Sequence, residues 1–164
     1  MMERLFDGKK VEHQTLSIKP QDGASVEDVQ GHDIGKKLFA SSLDLYDHMG
    51  VERIETYANC DIGGYAWARY GFVPDQKTWN FMREQLTMRL PSITNDAVKA
   101  RVEGLLKLED PRVIGVLAAM KQPVYGKATQ LPVGFGMLKN AGWDGVLDLT
   151  NPKRYEIVRA YVGA

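Results

Sequence analysis

Between residues 34 and 49 the apolar side chains Ile34, Leu38, Phe39, Leu45, Tyr46 and Met49 recur at helical spacing, with Ser42 and Leu43 between them. Gly50 follows, where a helix is commonly closed by a left-handed residue. This stretch constrains the fold most, because strand-like sequence flanks it on both sides. Upstream, in Val11 to Ile18, Leu16 and Ile18 share one face and Thr15 and Ser17 the other, as in a strand with one face on a core. Downstream, Val51 to Ala58 reads as a second strand. Strand, helix and strand in succession predict parallel neighbours joined by a right-handed crossover. The fold class is therefore α/β.

A further strand is expected before this unit. Arg4-Leu5-Phe6 is separated from Val11 by Asp7-Gly8, a dipeptide that tolerates the positive φ angles of a tight hairpin turn. Pro20 ends the second strand because it has no N–H for the ladder, and residues 20–30 form a polar loop. The loop leads into Gln30-Gly31-His32-Asp33-Ile34-Gly35-Lys36, a glycine-bracketed turn opening the helix. Backbone N–H groups at such a turn can hold an anion with little side-chain help. In isolation, two glycines before a helix specify only a turn.

Composition narrows the function. Lys plus Arg and Asp plus Glu number 21 each, so the net charge is zero and no like-charge run steers nucleic acid or an anionic membrane. Broad nucleic-acid binding and membrane association are not expected. At 164 residues and 44% hydrophobic content the chain can build a core. The one cysteine, Cys60, cannot form an internal disulfide, no apolar run approaches bilayer length, and Met1 to Arg4 carries no signal h-region, which fits a cytoplasmic setting. His13, His32 and His48 lack ligand spacing, so no metal is expected.

After Ala58, Asn59 to Gly64 reads as a loop, Tyr65 to Tyr70 as a short helix stopped by Gly71, and Phe72-Val73-Pro74 as a strand. Helices are expected over Thr78 to Leu90 (ended by Pro91), after a Thr94-Asn95-Asp96 cap, and over Val113 to Lys121 behind an Asp110-Pro111 start. A glycine-interrupted helical turn follows Leu131-Pro132, then a strand over Trp143 to Leu149 and a last helix after Asn151-Pro152. Trp67, Trp79 and Trp143 and the Met82/Met88 pair read as core.

A strand ending in proline, a glycine-bracketed turn opening a helix, the Gly50-Val-Glu-Arg-Ile-Glu55 strand, Asn59 near its end and a short helix closing on Tyr70-Gly71-Phe72 together resemble the GNAT family of acyl-CoA N-acyltransferases. The resemblance covers about residues 10–74. It implies a GNAT-like mixed sheet, N-terminally truncated, over residues 1–75, with a mostly helical extension over residues 76–164 packed on it. It also implies acetyl-CoA as cofactor, its pyrophosphate on backbone amides of Gln30, Gly31, His32, Asp33, Ile34, Gly35 and Lys36 and its pantetheine arm along Leu16, Ser17 and Ile18, with Asn59 nearby. A small-molecule or protein amine would accept the acetyl group. Glu12 is the candidate base and Tyr65 the candidate acid; otherwise Glu12 and His13 read as solvent-side residues of a hairpin.

Three departures stand against this pattern. Asp33 occupies the turn's middle glycine, Trp67 occupies the family's frequent acidic tyrosine, and the elements that normally precede this point have no counterpart. They admit a second expectation: a catalytically decayed GNAT-fold module for structure or protein binding, completed by a partner or by the remainder of a larger chain. The Asp61 to Phe72 run also looks like acetyltransferase-like modules of phage and mobile-element proteins, which would make the setting virion-associated.

Overall fold

The computed structural model describes residues 2–16, 34–58 and 62–163. The fold is mixed α/β. Five strands, β1 (Met2–Asp7), β2 (Lys10–Leu16), β3 (Arg53–Ala58), β4 (Val73–Pro74) and β5 (Trp143–Asp148), lie in one sheet in the order β1-β2-β3-β5-β4. Among the described residues there are seven α-helices: α1 (Ile34–Met49), α2 (Gly63–Arg69), α3 (Gln76–Thr87), α4 (Asp96–Lys107), α5 (Val113–Ala118), α6 (Val133–Leu138) and α7 (Pro152–Val162). The chain divides into two compact units. One combines residues 1–56 with 147–164, and the other holds residues 57–146. The expected boundary near residue 75 falls inside the second.

In the first unit β1 and β2 form an antiparallel hairpin, and Gly8 takes the positive φ of its turn (φ 57°). β2 and β3 are parallel across α1, in register from Lys10 opposite Arg53 to His13 opposite Thr56. α1 occupies the expected range, and Phe39, Ser42, Leu43 and Tyr46 are its buried face. Gly50 turns left-handed (φ 67°), and Val51 N–H donates back to the Tyr46 carbonyl (2.9 Å). Because Val51 is used in closing the helix, β3 begins at Arg53 rather than at Val51. The hairpin reading of His13 is corrected: it is 3% exposed, packed edge-on against Phe39 and beside Tyr46, while its neighbour Glu12 lies half-buried on the other face.

The opposite flank of α1 from β1 is held by α7. Arg159 donates to Asp44 Oδ1 and Asp47 Oδ2 (2.6 Å each), Tyr155 Oη bonds Asp47, and the Lys36 ammonium sits 4.7 Å over the Tyr161 ring.

The second unit packs helices at glycine contacts. A methyl group on Gly134 would lie 2.5 Å from the Leu117 carbonyl oxygen, and one on Gly64 would lie 2.7 Å from that of Leu138, so α6 approaches α5 and α2 at backbone distance. Trp79, Trp143, Leu117, Met137 and Leu138 are buried in this unit. Asp75 caps α3 through Thr78 N–H (2.7 Å), moving its start to Gln76, and Asn95 caps α4 through Val98 N–H (3.0 Å). Pro91 sits inside a short 3-10 turn, Leu90–Ser92, and α3 has already ended at Thr87.

Three expectations are corrected. α5 ends at Ala118, three residues early, because Pro123 lies ahead and the Met120 carbonyl accepts Gly134 N–H (3.0 Å). Asp110 is not its N-cap: the carboxylate accepts from Arg112 N–H (2.9 Å) in a turn before the helix. Met88 is exposed, whereas Met82 is core.

Candidate functional site

The irregular part of the first unit is the end of β2. Opposite β1 the register runs from Asp7 beside Lys10 to Arg4 beside His13, then resumes at Glu3 beside Thr15, so Gln14 is an extra, bulged residue. A bulge sharpens the local twist and re-aims the backbone. The ladder to β3 ends at the same level, at His13 opposite Thr56. β2 runs on to Leu16 with β1 as its one strand partner among the described residues. On its β3 side the backbone from Gln14 to Leu16 thus has no strand ladder among the described residues, which suits a ligand held by main-chain hydrogen bonds.

His13 anchors this irregularity. Its Nε2 is hydrogen-bonded to Tyr46 Oη (2.5 Å), and burial, with the Arg4 charge adding to it, holds the imidazole pKa down to about 4. Burial likewise pushes the Tyr46 phenol up to about 12, so both groups are neutral near pH 7. Arg4 Nη2 donates to Ser42 Oγ (2.7 Å), which donates onward to the Leu38 carbonyl (2.7 Å). Thr56 Oγ1 donates to the His13 carbonyl (3.4 Å). The core beneath the bulge therefore holds two neutral titratable groups, His13 and Tyr46, beside the Arg4 guanidinium.

On the opposite sheet face the parallel register sets Glu12 beside Glu55 and Lys10 beside Arg53. Glu55 is bound by Lys10 (2.5 Å) and Arg53 (2.8 Å), and Lys10 is held above its usual pKa chiefly by that hydrogen bond. Glu12 is thus a half-buried carboxylate two residues before the bulge, in a lattice of both charge signs.

Leu16 closes β2 opposite Met2, while Ser17, Ile18, Gln30, Gly31, His32, Asp33 and Asn59 lie outside the described residues. Ile34, Gly35 and Lys36 form the first turn of α1; Ile34 is exposed, and Lys36 is engaged by Tyr161. Tyr65 belongs to the second unit, and Glu12 to the first. The Tyr65 ring meets Phe135 edge-on at 5.3 Å. Trp67 is buried among Tyr70 and Phe72, with ring centroids 5.5 and 4.9 Å away.

Sequence reasoning missed Tyr46 and Glu55. Aligning Val11 with Ile54 as paired inward residues would have set Glu12 against Glu55 and turned His13 inward. No sequence signal marks Gln14 as the bulge.

Among the described residues no three His, Cys, Asp or Glu side chains group as a metal site would need, and no helix is long and apolar enough to cross a membrane. Compared with protein-family models, curated proteins and solved structures, the chain gives no significant match to any of them.

Proposed function

We propose that the chain is an acyl-CoA-dependent N-acetyltransferase-like domain with a GNAT-like mixed sheet. The observation that carries this reading is the end of β2: a strand bulged at Gln14 whose parallel ladder stops at His13 and Thr56, joined by α1 to its neighbour. An extended pantetheine arm has amide and carbonyl groups that match the strand backbone from Gln14 to Leu16, beyond the end of the β3 ladder. The turn from Gln30 to Lys36 would hold the pyrophosphate on backbone N–H groups at the head of α1. Acetyl-CoA would supply the acetyl group as a thioester. The chain's own task is then to orient an amine, take its proton and polarise the carbonyl. Glu12, two residues from the bulge, is the acceptor for that proton, and a re-aimed β2 amide is the polarising donor.

Trp67 favours a second reading, a decayed module used for structure or protein binding. An indole buried against Tyr70 and Phe72 stands where the family's frequent acid would be, and it has no titratable hydroxyl.

Calorimetric titration with acetyl-CoA separates the two. The enzyme reading expects micromolar binding that Gly35→Glu abolishes, with Glu12→Gln preserving binding and lowering turnover by about 100-fold or more. Absence of heat at millimolar acetyl-CoA, in the wild type and in Asp33→Gly alike, overturns it in favour of the second.

A further inference from the structure

Of the two helices described in the first unit, α7 has the smaller apolar hold. It buries two side chains, Val158 and Val162, where α1 buries four. A helix of this length is marginal in water by itself, so α7 depends on its docking. Its ends, by contrast, are closed locally. Asn151 accepts from Arg154 N–H (3.2 Å), Pro152 fills the first turn, and Gly163 turns left-handed (φ 75°) with its N–H on the Arg159 carbonyl (3.1 Å). The link from β5 is tied in the same way, Asp148 Oδ1 accepting from Thr150 N–H (2.9 Å) and from its hydroxyl (2.6 Å). All of these bonds lie within residues 148–163, so none of them fastens α7 to α1. The polar contacts that do so converge on one guanidinium. Arg159 donates through Nη1 to Asp44 and through Nη2 to Asp47 (2.6 Å each), and through Nε to Tyr155 Oη (2.9 Å), which also bonds Asp47. Asp44 and Asp47 stand one turn apart on α1, where like charges repel unless a cation lies between them.

We infer that α7 is a strap on an ionic lock: it leaves α1 and returns as one cooperative unit while β1, β2 and β3 stay paired, and the Arg159 fork on Asp44 and Asp47 sets how often it does so. The lock is open to control by salt. The Asp44 side chain is 69% exposed and that of Asp47 43%, so ions in the solvent screen both partners of the arginine directly. The hold of the sheet on α1 is of another kind. Val11, Ile54, Phe39 and Leu43 are fully buried apolar side chains, and their burial has no charge to screen. Ionic strength therefore acts on the strap and spares the sheet, which makes the two separable in one molecule.

The test is hydrogen exchange of the full chain, read by mass spectrometry in residues 155–162 and in β3. At low salt the α7 amides should exchange faster than those of β3. Raising the salt to about 1 M, where the Debye length is about 3 Å, should speed the α7 amides by about fivefold and leave β3 unchanged. Arg159→Leu should give that acceleration at low salt and abolish the response to salt. Arg159→Lys, which has no fork to span both carboxylates, should fall between the two. Equal rates in α7 and β3 at both salt concentrations overturn the inference, because α7 then opens only with its whole unit. So does a salt response shared by β3, or one that persists in Arg159→Leu.

Discussion

The two units bury different chemistry. All three buried polar side chains among the described residues, His13, Ser42 and Thr56, lie in the unit built from residues 1–56 and 147–164. In the unit of residues 57–146 the fully buried large side chains are apolar, led by Trp79 and Trp143, and the close approaches are made by glycine. The first unit should therefore answer to proton concentration and the second to volume. A core that holds polar groups among its apolar side chains answers to their protonation. An apolar core closed by backbone contact answers to shape.

The sharpest way to break the contrast is to enlarge or empty the second unit. Trp79→Ala removes a fully buried indole that also donates to the Leu108 carbonyl (3.1 Å), and should cost about 3–5 kcal/mol by urea denaturation. Gly134→Ala should cost about 1–3 kcal/mol, since the added methyl meets carbonyl oxygens that cannot rotate away. If either loss were under about 0.5 kcal/mol, the glycine-closed packing would not be what holds this unit.

Acid should act on the first unit. The folded pKa of His13, about 4, lies below its unfolded value of 6.5, so the unfolded chain binds more protons between those limits. Stability is full above about pH 6.5 and falls as pH drops toward 4, by about 3 kcal/mol in total. All three tryptophans lie in the second unit, so their fluorescence should stay constant while hydrogen exchange in β1 and β2 accelerates. His13→Gln should flatten that pH dependence. A simultaneous change in both signals, or an unaltered slope in the variant, would contradict the assignment.

Smaller effects refine the picture. Asn95→Ala should cost about 1 kcal/mol by removing the acceptor for Val98 N–H. Arg159→Leu should cost about as much, because its partners Asp44 and Asp47 keep their access to water. The second loss should shrink in high salt and the first should not.

How much of this could be read from sequence follows from where each signal resides. α1 was legible because its apolar period and Gly50 agree over four turns, and the Asn151-Pro152 start of α7 because cap and first-turn chemistry are local. The parallel pairing of β2 and β3 followed from their order along the chain. The bulge did not, because one extra residue leaves composition unchanged and merely shifts the alternation after His13. His13 misled for a related reason: beside a carboxylate it looks solvated, and only a phenol on α1 explains its burial. The Arg159 clamp joins residues more than a hundred positions apart, and a surface-looking arginine carries no local mark of its partners. Of the candidate site, Glu12 could be named from its strand, whereas Glu55 beside it required the register.

The first unit is discontinuous, and that bears on how the chain leaves the ribosome. β1, β2 and α1 are made before residues 57–146, but α7, whose arginine and tyrosines grip α1, emerges only after those residues have been synthesised. At ~5–20 residues per second that delay is on the order of ten seconds. Through that interval the Asp44 and Asp47 flank of α1 waits without Arg159, so an earlier-made part of the unit is completed by a later one, and the contiguous unit between them has the time to fold first.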